Sequence, residues 1–464
     1  MPFTLKLRWL LLWLVLGGSM SLAHEPIAVH AIPTTTSETP ADCVAGYADI
    51  YPCRNINLLA HLPLEGVGGG SATDVWGWDD AVTGHRYAIL GRTNGTAFVD
   101  VTDPRAPIYV AELPSHVGEG PRALKVYERY ALIVAQIAGH GMQVLDLAAL
   151  RPLIGRTDLP VTLTESAYYG GAGQAQNIAI DQETHFAYAV GLRGSGLNCN
   201  GGLHMINLSN PSYPVFGGCF SGDGFTQAAQ CLIYHGPDRD YYDHEVCFNA
   251  NEDTLTIVDV SNKFAPLMIS RTDYVGRGYT FQGGLAPDQR HFLLADTGDE
   301  LQSGVNTTTY IWDVSNLDAP YVERQFVAST AAIDHNLFAR GRFVYQANNT
   351  AGLRVLRLND DGDPGLELIE DAYFDVYPAD DGPTLNGAQS AFPYFTEEGL
   401  VAVSSQAGGL YVLRLAHIAF VPMAVTLRQM DATGNSVSVW GVGLWLAAVL
   451  AIWQTSRGRL SVSP

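Results

Sequence analysis

Leu255-Thr256-Ile257-Val258-Asp259-Val260-Ser261 is the stretch that decides the fold. An apolar, β-branched run is followed by a polar residue and then by turn formers, which is strand composition rather than helix composition. The same order recurs upstream at Thr96-Ala97-Phe98-Val99-Asp100-Val101, Met142-Gln143-Val144-Leu145-Asp146-Leu147 and Leu203-His204-Met205-Ile206-Asn207-Leu208. Downstream it recurs at Tyr310-Ile311-Trp312-Asp313-Val314, Leu353-Arg354-Val355-Leu356-Arg357-Leu358 and Leu410-Tyr411-Val412-Leu413-Arg414-Leu415, making seven copies. Measured between the polar residues Asp100, Asp146, Asn207, Asp259, Asp313, Arg357 and Arg414, consecutive copies lie 44 to 61 residues apart. That is the length of one four-stranded propeller blade with variable loops, and far too long for the rung of a β-solenoid.

Short strand-like runs fill the intervals, among them Tyr87-Ala88-Ile89-Leu90, Tyr130-Ala131-Leu132-Ile133-Val134 and His291-Phe292-Leu293-Leu294. After most copies a proline introduces one more strand, as at Pro107, Pro214, Pro266 and Pro320. The seventh copy has none, whereas Asn55 to Leu62 is a strand of that kind with no copy before it. The chain therefore predicts an all-β, seven-bladed propeller over residues 55–415, closed by this N-terminal strand in the last blade.

Composition bounds what such a ring does. The 464 residues carry 47 acidic against 26 basic side chains, a net charge of −21. That field repels phosphate backbones and argues against a nucleic-acid partner. Residues 1–23 place Lys6 and Arg8 before an apolar run and end in Ser21-Leu22-Ala23, the order of a secretory signal peptide. Residues 24–54 then form an N-terminal extension and 416–434 a linker. Residues 435–456 are apolar and long enough to cross a hydrocarbon core as a helix. Arg457 and Arg459 follow, which puts residues 457–464 in the cytoplasm and the propeller on the extracytoplasmic side. Six cysteines suit an oxidising compartment, and their spacing suggests the pairs Cys43–Cys53, Cys199–Cys219 and Cys231–Cys247.

The segments Gly91-Arg92-Thr93-Asn94-Gly95-Thr96, Gly139-His140-Gly141-Met142, Asn251-Glu252-Asp253-Thr254-Leu255 and Asp334-His335-Asn336-Leu337 together resemble the choice-of-anchor B family, whose members contain LVIVD repeats. The resemblance runs from about Cys43 to Leu415. It implies a propeller held to the cell envelope by its C-terminus, and no particular chemistry. It also implies histidines where inner strands begin, in segments like H-N-I, T-H-D-A-Q-C and Y-T-H-Q-G-W. The matching positions here read Gln176-Asn177-Ile178, Thr226-Gln227-Ala228-Ala229-Gln230-Cys231 and Tyr279-Thr280-Phe281-Gln282-Gly283-Gly284, so only His335 keeps an imidazole.

Inner-strand starts face a propeller's central channel, which makes Asp74, Gln176, Asn177, Gln230, Gln282, Asp334 and His335 the ligand candidates. Asp334 beside His335 suggests a carboxylate-held base, weighed against a histidine bonded to a neighbouring blade. Glu252, Asp253, Asp299 and Glu300 lie in blade loops as possible oxygen ligands for Ca²⁺, weighed against ordinary solvated turns. Asn359-Asp360-Asp361-Gly362-Asp363 also spaces oxygens, with Pro364 where a Ca²⁺ loop continues differently. No G-x-S-x-G, H-E-x-x-H or Walker-type loop occurs, and no cofactor is indicated beyond that calcium option. The expected function is a cell-surface scaffold binding a protein, glycan or small molecule. The alternative is an enzyme or metal-binding protein working in the channel.

Overall fold

The structure, a computed structural model, describes residues 39–194, 197–359 and 365–416, with two further two-residue strands, Gln429–Met430 and Ser436–Val437. Seven antiparallel sheets radiate from one axis. Their innermost strands are Ala72–Asp79 in blade 1, Arg122–Tyr127 in blade 2, Asn177–Asp181 in blade 3 and Thr226–Ile233 in blade 4. Thr280–Leu285, Asn336–Arg340 and Ala388–Phe392 serve blades 5, 6 and 7. Each packs against the next, and that of blade 7 packs against that of blade 1, so the ring is closed.

The repeated segments are the third strands of their blades, and the polar residue that ends each has a defined job. The side chains of Asp100, Asp146, Asn207, Asp259 and Asp313 accept from the backbone N–H two residues on, at 2.8 to 3.0 Å. In four of these blades a second such turn follows at once, at Asp103, Asn210, Asn262 and Asn316. A short oxygen-bearing side chain thus replaces the next ladder partner and reverses the chain. In the last two copies Arg357 and Arg414 stand there instead and pair with Asp371 and Glu397.

Closure involves two blades. Ile56–Leu62 pairs antiparallel with Gly409–Leu415 as the outer strand of blade 7, from Ile56 opposite Leu415 to Leu62 opposite Leu410. Just before it, Tyr51–Arg54 adds to the outer edge of blade 6, with Cys53 opposite Phe374. Asn55 makes the step between blades with φ +56° while its amide donates to the Asp371 carbonyl at 2.9 Å. Tyr51, Phe374 and Tyr411 pack together beneath this clamp. Gly409 is required where the strand ends meet: its φ is +92°, and a Cβ there would lie 2.3 Å from the Leu62 carbonyl oxygen.

The long interval after the second copy has a structural cause. The chain leaves blade 2 through a 3₁₀ turn, Leu147–Leu153, and adds Val161–Thr162 in parallel to the outer strand of blade 1. It returns as Ala167–Tyr169, the outer strand of blade 2. The three disulfides join the expected pairs, Cys43–Cys53, Cys199–Cys219 and Cys231–Cys247. Residues 1–23, 360–364 and 457–464, and residues 435–456 apart from Ser436–Val437, lie outside the described residues. Among the described residues no helix is long and apolar enough to cross a membrane.

Candidate functional site

A cavity of about 1040 Å³ opens on the propeller axis. Around its mouth stands one residue from the same inner-strand position of each blade: Thr73, Arg122, Gln176, Gln227, Phe281, His335 and Gln389. Backbone irregularity puts four of them there. The ladder skips Thr73, Gln227, Phe281 and Gln389, each a bulged residue between paired neighbours. A bulge releases one residue from the pleat and re-aims its side chain. Trp76, Phe338 and Tyr394 line the wall further along the inner strands.

Of the candidates read from sequence, Asp74, Gln176, Asn177, Gln230, Gln282 and His335 all line this cavity, and Asp334 does not. Several of them tie one blade to the next. Asp74 Oδ2 accepts from the Leu124 N–H at 2.9 Å and Oδ1 from the Val75 N–H at 2.8 Å. Gln230 Oε1 accepts from the Leu285 N–H at 2.7 Å, and Gln282 Oε1 from the Leu337 N–H at 2.6 Å. Asn177 Oδ1 accepts from Ile178 in its own strand. Among the described residues the Gln176 amide and Nε2 of Gln230 make no hydrogen bond, which leaves them to a ligand or to water.

Of the two arrangements weighed for His335, the structure has the bond to a neighbouring blade. His335 Nδ1 donates to the Gln389 carbonyl of blade 7 at 2.7 Å, and its ring packs on Phe281 with centroids 4.5 Å apart. Burial lowers its pKa, so the imidazole is neutral with Nε2 left as an acceptor. Asp334 points the other way because successive side chains in extended backbone alternate faces.

Sequence reasoning missed the channel's cations. Lys125 Nζ sits 4.2 Å from the Trp76 ring centre and 3.9 Å from Asp74 Oδ2, and burial pulls its pKa down. Arg122 is buried and donates to the carbonyls of Arg92, Thr93 and Gly120. The available signal was a pair of basic residues inside the apolar strand Arg122–Tyr127.

The possible calcium ligands separate into two places. Glu252 accepts from Tyr279 Oη at 2.9 Å and from Gln227 Nε2 at 3.3 Å, while exposed Asp253 pairs with Arg271. Asp299 and Glu300 do not lie in a solvated turn: both are buried, together with Asp296 and Asp334. Burial first, and then neighbouring carboxylates, push Asp299 up to about 6, Glu300 up to about 9 and Asp334 well above the usual carboxylate range. A third cluster had no sequence signal. His291, Asp313 and Glu323 bring ligating atoms within 4.8 Å of one another. There the Arg290 guanidinium, 2.8 Å from Asp313 and 4.0 Å from Glu323, already supplies positive charge.

Residues 248–273 match the LVIVD repeat. They span the second, third and fourth strands of blade 4, the blade whose third strand is Thr254–Asp259. No curated protein matches the chain. Among solved structures it is similar to the Cps50 (Swd1) beta-propeller domain of Myceliophteria thermophila, at 13% identity and a TM-score of 0.44, over 75% of this chain and 98% of that one.

Proposed function

We propose that the chain is an exported, membrane-anchored scaffold of the choice-of-anchor B kind, and that it binds a neutral, hydroxyl-rich ligand such as a glycan end in the channel mouth. The observation that carries this reading is the ring itself. It places amides with unspent hydrogen-bonding capacity, Gln176 and Gln230, around a cavity walled by Trp76, Phe281 and Tyr394. Amides offer both donors and acceptors to hydroxyl groups, and aromatic faces take the apolar faces of sugar rings. His335 Nδ1 is held by a bond between blades, which leaves Nε2 to accept from a ligand hydroxyl. The leader of residues 1–23, the apolar run of residues 435–456 and three disulfides support the location.

The purified full chain should retain a subset of a glycan array, and Gln176→Ala or Trp76→Ala should weaken that retention at least about tenfold, one lost hydrogen-bonded or stacked contact. Retention unchanged by both substitutions would move the binding site off the channel. Truncation from Gln429 onward should release a folded propeller from the membrane fraction, and its persistence there would refute the anchor.

A further inference from the structure

Lysine is rare in this chain. Of its 26 basic residues three are lysines, Lys6 in residues 1–23, Lys125 and Lys263, and the other 23 are arginines. Arginine keeps its proton in proteins, whereas a lysine in apolar surroundings gives its proton up readily. A lysine in such a chain marks a place where an amine, and not only a charge, is available.

The two lysines of the propeller are held differently. Lys263 Nζ is bound by the Glu245 carboxylate, donates to the Val260 carbonyl at 2.8 Å and lies 4.6 Å from the Phe186 ring centre. Lys125 stands on the inner strand Arg122–Tyr127 and lines the channel cavity together with Asp74, Trp76 and Phe338. Its Nζ donates to the Leu124 carbonyl at 3.1 Å, while Asp74 Oδ2, at 3.9 Å, is beyond hydrogen-bond reach. The Trp76 and Phe338 ring centres lie 4.2 and 5.9 Å away. An ammonium has three N–H groups to place, and among the described residues it finds one acceptor here. Burial therefore outweighs the Asp74 charge and pulls the Lys125 pKa down. A neutral amine asks for fewer acceptors, and its lone pair makes it a nucleophile in a cavity that a ligand can enter.

We propose that Lys125 is a carbonyl-capturing amine of the channel, which forms a reversible imine with an aldehyde-bearing ligand. Nζ attacks the carbonyl carbon, and one nitrogen proton passes to the carbonyl oxygen to give a carbinolamine. The C–O bond then breaks, the hydroxyl leaves with the second nitrogen proton as water, and a C=N bond remains. Amine and aldehyde thus give imine and one water, with nothing oxidised or reduced. The Trp76 and Phe338 faces beside Nζ keep bulk water from the C=N bond. This chemistry goes beyond the hydroxyl-rich ligand proposed above and does not depend on it, although the open-chain reducing end of a glycan carries such a carbonyl.

The test treats the purified full chain at neutral pH with propanal and cyanoborohydride, which reduces an imine to a stable propyl-lysine. N-acetyl-lysine in the same tube is the reference amine, and peptide mass mapping reads each site. An ordinary lysine is neutral in roughly one part in 2,500 at pH 7, and each unit by which its pKa falls raises that fraction about tenfold. Lys125 should be propylated at least about tenfold faster than N-acetyl-lysine and faster than Lys263. Its rate should level off with rising pH below about 10.4. In urea, with the chain unfolded, the advantage should vanish. If native Lys125 reacts no faster than N-acetyl-lysine, or keeps its advantage in urea, the proposal is overturned. Propanal carries no sugar, so this outcome stands apart from that of the glycan array.

Discussion

Two walls of the same channel handle buried charge in opposite ways. Where blades 1 and 2 meet, charges of both signs lie beside one another: Asp74 accepts from two backbone N–H groups, Lys125 rests on the Trp76 face beside Asp74, and Arg122 Nη1 donates to three carbonyls while its Nε and Nη2 are buried without a partner. Where blades 5 and 6 meet, Asp299, Glu300 and Asp334 are all of one sign, and each leaves an oxygen unanswered. The difference teaches that burial alone does not label a functional charge. What separates the two walls is the sign of the charge: one sets opposite charges side by side, whereas the other gathers carboxyls that raise one another's pKa.

The largest effect should come from Arg122→Ala on the balanced wall. Three carbonyls lose their donor and a buried cavity opens, so chemical denaturation should show a loss of about 3–4 kcal/mol. A loss below about 1 kcal/mol would mean that water replaces the guanidinium. Asp74→Ala should follow at about 3 kcal/mol, because it orphans the Val75 and Leu124 N–H groups and leaves Lys125 without its counter-charge. Gln282→Ala, which removes the acceptor for the Leu337 N–H and the donor to the Gly283 carbonyl on the other wall, should cost about 1–2 kcal/mol.

Lys125→Met is the sharpest discriminator despite its small size. Protonated Lys125 weighs against folding, since burial holds its folded pKa below the ordinary value of about 10.4. That penalty is complete below the folded pKa and relieved as pH rises toward about 10.4. Wild type should therefore gain stability relative to Lys125→Met as pH climbs toward about 10.4. A flat difference curve would show the ammonium to be well solvated. The smallest effect belongs to a pair remote from both walls: Arg151 binds both oxygens of Asp80, at 2.8 and 2.9 Å, and holds its pKa at about 2. This contribution is present above about pH 4 and lost as pH falls toward 2, so Arg151→Ala should flatten the acid limb of the melting profile.

The ring was legible because its signal is repeated: seven strands ending in a polar residue, and a spare first strand that needed a blade. Its second attachment was not, since nothing in Tyr51-Pro52-Cys53-Arg54 says that blade 6 has a free edge to receive it. At the channel, the segments that resemble the choice-of-anchor B pattern located Gln176, Gln230, Gln282 and His335, because position within a strand is a one-dimensional property. It could not tell which face each side chain takes. Asp334 and His335 are neighbours in sequence and lie on opposite sides of the wall. Asp299 and Glu300 read as turn residues because a single sequence does not show that blade 6 covers them.

The clamp across blades 6 and 7 also sets a timetable for synthesis. The strand that closes the ring is made near the beginning, yet its partner Gly409–Leu415 is made after every other blade. Throughout synthesis Ile56–Leu62 must wait with its edge groups unmatched, and a chain cut short before its partner Gly409–Leu415 leaves the first strand and the last blade both unsealed. Completion of the ring thus reports that synthesis has passed Leu415: only then is the edge of Ile56–Leu62 covered.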